Sequence, residues 1–298
     1  MPSNGIRFIN HREILTYEEI IRIIRIASGL GVKKIRLTGG EPLLRKDIPY
    51  LIESISNING IVDISLTTNG MLLKKFAFSL ANAGLKRINI SLDSFKEKRY
   101  REITRGGELR DVLEGIEAAE KAGLHPIKIN VVPIKGFNDD EIEDFARLTL
   151  KKTYNIRFIE FMPIGAKSIW SAEKYISTDE IKDRVSKISP LLPVRIRRSG
   201  PARYFRFEDA PGVIGFISPI THHFCGTCNR LRITSDGKIR PCLFSETLID
   251  IKTVIRSGAD DKEIERILKL SIDIKPEKHN IDRESFLSCH TPMSKIGG

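Results

Sequence analysis

The feature that most narrows the folds open to this chain is an alternation of short β-rich runs with stretches of helical periodicity. The runs fall at 34–37, 62–67, 87–92, 127–132 and 156–161, and helical spacing fills 48–56, 72–83, 109–122 and 140–151. Strands separated by helices pair in parallel, so the pattern predicts an α/β fold whose sheet curls into a full or partial TIM-type (β/α) barrel. An open doubly wound sheet is the alternative. Ahead of the first run, Thr16 and Glu19 form a capping box before Ile20, Ile23, Ile24 and Ala27, and Gly29 and Gly31 close that helix. Only a loop precedes it, so the barrel is expected to lack its first strand. From about Ser171 the pattern changes to a helix and basic strands with turns at Ser199-Gly200-Pro201 and Ser235-Asp236-Gly237. This predicts an incomplete barrel over 1–170 and a smaller α+β domain over 171–298.

A chain of 298 residues with 41% hydrophobic content can bury a substantial core, which argues against disorder. No apolar run approaches the ~20 residues a bilayer span requires, and the opening residues make neither a secretory signal nor a transit peptide. A cytoplasmic, reducing location is expected. There, three cysteines close together point to metal or cluster ligation before disulfides. The formal charge of +11 permits a polyanionic partner, although a solvated lysine-rich surface would give the same number.

In a (β/α) barrel the loops after the strands build the site. Here they read Thr38-Gly39-Gly40-Glu41-Pro42, Thr67-Thr68-Asn69-Gly70, Ser91-Leu92-Asp93-Ser94, Asn130, and Glu160-Phe161-Met162-Pro163. Paired glycines let a ligand approach the backbone, and Glu41 can accept from an ammonium or hydroxyl. Each loop alone could be an ordinary turn. Several polar loops on one barrel face favour a site.

The cysteines lie in Phe224-Cys225-Gly226-Thr227-Cys228-Asn229-Arg230-Leu231-Arg232 and Arg240-Pro241-Cys242-Leu243-Phe244. The turn at Ser235-Asp236-Gly237 folds the intervening segment into a hairpin that returns Cys242 towards Cys228. Three thiolates could hold a [4Fe-4S] cluster with one open iron, or zinc with His222, His223 or a distant group as fourth ligand. Spacing alone favours zinc. Arg230 and Arg232, two apart on a strand, face the same way and suit a phosphate group. Cys289 stands outside the pattern and reads as a free or partly buried thiol.

Gly39-Gly40-Glu41-Pro42 resembles the SAM-binding motif of radical-SAM enzymes. With Ile35-Arg36-Leu37-Thr38 before it, Leu66-Thr67-Thr68-Asn69-Gly70, Arg157-Phe158-Ile159-Glu160-Phe161-Met162 and the stretch from Cys225 to Phe244, the chain is similar over essentially its whole length to the GTP 3',8-cyclase (MoaA) family. The resemblance implies a lyase of molybdenum cofactor biosynthesis. It would convert GTP, with SAM and a reductant, to (8S)-3',8-cyclo-7,8-dihydroguanosine 5'-triphosphate. It assigns a second [4Fe-4S] cluster to Cys225, Cys228 and Cys242, reversing the preference for zinc. It places GTP against Arg36, Thr67, Lys128, Arg230, Arg232 and the backbone of Leu231, and SAM against Gly40, Ser91 and Met162. Glu41 and the terminal Gly297 and Gly298 are further candidate participants.

The family also uses a first [4Fe-4S] cluster on Cys-x-x-x-Cys-x-x-Cys, a motif this sequence does not contain; it opens with Met1-Pro2, which follows that motif in relatives. A truncation, an internal or misplaced start, or a short paralogue would each explain this, and the chain as written is expected not to generate the SAM radical. Expected partners are GTP, SAM, an electron donor, a downstream cyclic pyranopterin monophosphate synthase of the MoaC type, and a second copy in a homodimer. Neither membrane nor nucleic acid is expected. The competing reading is a non-catalytic relative that binds GTP, or zinc and nucleic acid.

Overall fold

Alternation along each strand decides which face of the sheet meets the helices. The computed structural model describes residues 9–165, 170–196, 200–279, 291 and 293–296. Helix α1 (Tyr17–Gly29) carries the anticipated capping box, with both the Thr16 and Glu19 halves formed. It leads into β1 (Lys34–Leu37), α2 (Ile48–Ser56), β2 (Asp63–Thr68), α3 (Leu73–Asn82), β3 (Arg87–Ser91), α4 (Glu97–Thr104), α5 (Leu109–Lys121), β4 (Ile127–Val131), α6 (Ile142–Arg147) and β5 (Asn155–Ile159). Strands β1 to β5 pair in parallel and in sequence order. Ile64, Leu66, Ile88, Ile90, Ile127, Ile129, Ile156 and Phe158 point to the helices and join one apolar core. At roughly 1.5–3 kcal/mol for each large apolar side chain removed from water, this face drives the assembly.

Helix α4 was not signalled by the sequence, and the helix anticipated at 140–151 is interrupted. Two 3-10 turns, Asp139–Glu141 and Leu148–Leu150, flank α6. Glu141 is turned inward at the first of them, where its carboxylate accepts from Ser94 Oγ at 2.7 Å and the Phe95 N–H at 2.6 Å.

After α7 (Thr178–Ser186) come β6 (Leu191–Val194), β7 (Arg203–Phe207) and β8 (Val213–Ile217). Strand β8 pairs in parallel with β5, from Asn155↔Val213 to Ile159↔Ile217, and β7 and β6 follow antiparallel. The order β1-β2-β3-β4-β5-β8-β7-β6 thus makes one sheet that runs through the expected boundary at 170/171. The sheet is a partial barrel. Flat, β1 and β5 would stand roughly 19 Å apart at ~4.8 Å per strand, yet Arg36 on β1 and Arg157 on β5 are close enough for the Arg157 charge to lower the Arg36 pKa.

A second sheet, β9 (Arg232–Ile233), β10 (Lys238–Arg240) and β11 (Ile249–Asp250), is antiparallel. With α8 (Ile251–Arg256) and α9 (Asp261–Asp273) it packs on α1 through Leu15, Ile23, Ile239, Ile251, Ile264, Ile267 and Leu268. Ion pairs Arg22–Asp261 and Arg256–Glu19, each 2.7 Å, reinforce the join. Gly237 makes the hairpin turn at φ +75°, and a Cβ there would come within 2.4 Å of Lys252 Cβ. The short α10 (Met293–Ile296) completes the described chain. No helix among the described residues is long and apolar enough to cross a membrane.

Candidate active site

The alternation that sends isoleucines to the helices sends the intervening residues to the concave face: Arg36, then Ser65 and Thr67, Arg87 and Asn89, Lys128 and Asn130, and Arg157. Registers Arg36↔Ser65, Ser65↔Arg87, Asn89↔Lys128 and Asn130↔Arg157 lay them side by side. A barrel interior is ordinarily filled by branched apolar side chains; this one is polar, and cationic above all. Gly215 on β8 clears space beside Arg157, since a Cβ there would lie 2.9 Å from the Tyr204 ring and 3.2 Å from Arg157 Cγ.

Among the described residues, Arg87 alone of these cations is paired with a carboxylate, while Arg36, Lys128 and Arg157 are not. Arg157 donates to Asn89 Oδ1 at 2.6 Å, while its buried Nε has no acceptor. Arg87 pairs with Asp63, but its Nε is likewise unmatched, as is the buried Oδ1 of Asn130. Lys128 is 3% exposed, and its ammonium makes no hydrogen bond among the described residues. Burial, then the charges of Arg157, Arg87 and Arg36, lower its pKa to about 7 against a weak opposing pull from Asp63. Arg36 lines a concavity that solvent reaches, yet protein encloses it closely enough that desolvation, with Arg157, Arg230, Arg87 and Arg232, lowers it to about 9. Arg232 is lowered to about 10 by burial and Arg230, partly offset by Cys228 and Cys242. Like charges desolvated together are a poised anion site.

The thiols sit at the rim of this concavity. Cys225, Cys228 and Cys242 are all unpaired and partly exposed. Cys225 opens a 3-10 turn, Cys225–Thr227, in which the Cys228 N–H donates to Cys225 O at 3.0 Å. The hairpin registers Arg240↔Arg232 and Ile239↔Ile233 turn the chain back towards the Cys228 arm, and Arg232 feels both Cys228 and Cys242. Among the described residues, the group whose ligand atoms could share a single ion is a different one: His223, Cys225 and His279, all within 4.8 Å of one another. His223 Nδ1 lies 3.1 Å from His279 Nε2. His222 instead contacts Asp179 at 2.9 Å.

Two carboxylates fix the loops. Glu41 accepts from the Leu43 N–H at 3.1 Å, Thr68 Oγ1 at 2.6 Å and the Asn69 N–H at 2.7 Å. It joins the loop after β1 to the loop after β2, with Oε1 accepting two of these bonds and Oε2 one. Glu160, 0% exposed, accepts from Tyr175 Oη at 2.9 Å, the Thr178 N–H at 3.2 Å, the Ile220 N–H at 2.8 Å and the Thr221 N–H at 3.0 Å, with the Thr221 hydroxyl also upon it. It ties the end of β5 to the segment that enters the cysteine turn.

Of the remaining expected residues, Gly40 is exposed with open space where a Cβ would stand, Ser91 ends β3 exposed beside Asn130, and Met162 follows Glu160 partly buried. Thr67 lies on the concave face, and Leu231 packs into the C-terminal apolar cluster. Gly297, Gly298 and Cys289 lie outside the described residues, as do Met1 and Pro2. Sequence reading missed Arg157, Arg87 and Asn89. Their signal was present: polar residues at alternate positions of strands whose other residues are isoleucine.

Residues 2–149 match the Radical SAM superfamily model and 154–281 the Molybdenum Cofactor Synthesis C model. A GTP 3',8-cyclase of Thermodesulfovibrio yellowstonii is 54% identical over all of this chain and 92% of its own length, and one of Alkaliphilus metalliredigens is 50% identical with the same coverage. Among solved structures, Streptococcus suis SuiB superposes with TM-score 0.59 at 18% identity, over 87% of this chain and 63% of its own, which shows the shared fold. A polar-lined partial barrel with a thiol-bearing layer at its mouth is thus a radical-SAM enzyme of molybdenum cofactor biosynthesis. Within that class, the chain belongs to the GTP 3',8-cyclase family.

Proposed function

We propose that the concave face binds GTP for 3',8-cyclisation, with SAM held at the loops after β1, β3 and β5. The observation that carries this reading is the cationic interior: Arg36, Lys128, Arg157, Arg230 and Arg232 lower one another's pKa or are lowered by burial, with too little carboxylate to balance them. A triphosphate supplies the missing negative charge and the acceptors for the orphaned guanidinium nitrogens. Thr67 and Asn130 offer hydroxyl and amide groups on the same face.

Cys225, Cys228 and Cys242 could hold a cluster with an open iron for the purine: the three are free and partly exposed, Arg232 lies close to Cys228 and Cys242, and Arg230 lies close to Cys228. In the family the radical that removes the 3' hydrogen of GTP comes from SAM on a first cluster, for which this sequence carries no Cys-x-x-x-Cys-x-x-Cys motif, so no radical step is assigned to the chain's own residues. The chain's own residues hold the triphosphate through the arginines, keep the sugar near the SAM-facing loops and enclose both from water. Gly40 would admit SAM to the backbone, with Ser91 and Met162 beside it.

Anaerobic reconstitution of the chain with iron and sulfide tests this. The expected result is about four irons per chain at this site and GTP affinity that falls in Cys225→Ala. Zinc without iron, held by His223, Cys225 and His279, together with no preference for GTP over nucleic acid, would overturn it in favour of a non-catalytic relative.

A further inference from the structure

The segment just past α9 places a cation on the sulfur of a candidate cluster ligand. Lys275 Nζ lies 3.5 Å from Cys228 Sγ, 2.8 Å from the carbonyl oxygen of Arg230 and 3.2 Å from that of Pro241. An ammonium has three N–H donors, and these contacts use all three. The two carbonyls belong to opposite arms of the hairpin, the one leaving Cys228 and the one arriving at Cys242. Lys275 is itself fixed by its own N–H, which donates to Ile272 O at 3.1 Å in the last turn of α9. Helix α9 buries Ile264, Ile267 and Leu268 against the layer that packs on α1, so the lysine reaches the thiol from a rigid base.

We propose that Lys275 is a positioning residue for the C-terminal cluster: it clamps the hairpin so that Cys228 and Cys242 face one centre, and its N–H to Cys228 Sγ sets the electron richness of that centre. The proposal rests on the reading that Cys225, Cys228 and Cys242 hold a [4Fe-4S] cluster. A positive donor on a thiolate draws electron density from the sulfur, so less reaches the iron. Hydrogen bonds and charge at the sulfurs are among the factors that fix a cluster's reduction potential. The added electron is better tolerated when Lys275 is present, and an iron with less donation from its thiolates binds a purine nitrogen or oxygen more firmly. A lysine that only braced the loop would alter neither property.

The test compares the reconstituted wild-type chain with Lys275→Met and Lys275→Gln. Iron per chain is counted first, and the midpoint potential is then read by electron paramagnetic resonance during a redox titration. Full iron loading in Lys275→Met with a midpoint potential more negative than wild type is the expected result, with GTP bound several-fold more weakly. An unchanged potential in a fully loaded Lys275→Met chain overturns the assignment. Should Lys275→Met lose its iron, Lys275→Gln decides, because its neutral amide can still donate to the two carbonyls: a lowered potential supports the proposal, and an unchanged potential or loss of iron here too makes the lysine purely structural. A wild-type chain that takes zinc and no iron overturns the cluster reading and the assignment with it, and is recognised at the iron count before any potential is measured.

Discussion

Glu141 and Glu160 at the mouth of the barrel and Lys128 and Arg157 on its concave face are buried to similar degrees and treated in opposite ways. Glu41, Glu141 and Glu160 each accept hydrogen bonds at both oxygens from backbone N–H and hydroxyl groups, and Glu141 accepts one from Arg99 as well. The Lys128 ammonium makes no hydrogen bond among the described residues, and Arg157 and Arg87 each keep a buried nitrogen without an acceptor. A buried charge that the protein satisfies holds the fold. One that the protein leaves unsatisfied destabilises the empty fold and is retained because something else completes it.

The largest expected effect lies on the satisfied side. Glu160→Ala strands the donors of Tyr175, Thr178, Ile220 and Thr221 in a buried space, and about 4 kcal/mol of stability is expected to be lost. Equilibrium denaturation of the ligand-free chain measures it. A loss under about 1 kcal/mol would mean that water satisfies those donors, and the comparison would fail at its strongest point.

Next comes the unsatisfied side. Arg157→Met removes a buried guanidinium whose Nε has no protein acceptor, so GTP affinity is expected to fall on the order of 10–100-fold, the range of a lost charge-assisted contact. Isothermal titration reads it. Stability of the empty chain should change far less than in Glu160→Ala, because among the described residues the Arg157 side chain gives the fold its bond to Asn89 in exchange for its desolvation. Equal stability losses in the two variants would erase the distinction drawn here.

Much of this was legible in the sequence, because it depends on local alternation. Isoleucines at every second position of β3 and β4 announce a face packed on helices, and Arg87, Asn89, Lys128 and Asn130 between them announce a polar interior. Thr16 and Glu19 announced α1 in full. Other features depend on chain segments far apart. The parallel pairing of β8 with β5, which carries the sheet through the expected domain boundary, joins residues about sixty apart across a change of pattern. Glu160 read as a strand-end acid because its donors come from 175–178 and 220–221. Lys275 is one lysine among many, until α9 folds and brings it to Cys228. Local periodicity encodes faces; partners reached through the tertiary fold leave no such trace.

The smallest effect is the most specific to the empty site. Lys128 has a pKa of about 7 in the folded chain against the ordinary lysine value of 10.5. Between those values the unfolded chain binds a proton that the folded chain does not, so stability must rise with pH across this window, starting near 7. From pH 7 to 8 the gain is about 1 kcal/mol. Lys128→Met should flatten this slope and raise the melting temperature at pH 7, since an unpaired buried ammonium is replaced by an apolar chain of similar length. A bound triphosphate returns the proton to Lys128, so GTP affinity should fall as pH rises above 7 in the wild-type chain and much less in Lys128→Met. Scanning calorimetry and titration at pH 6.5, 7.5 and 8.5 check both slopes. A wild-type chain whose stability is flat over that range would place Lys128 among the satisfied charges, and the anion site would then rest on its arginines alone.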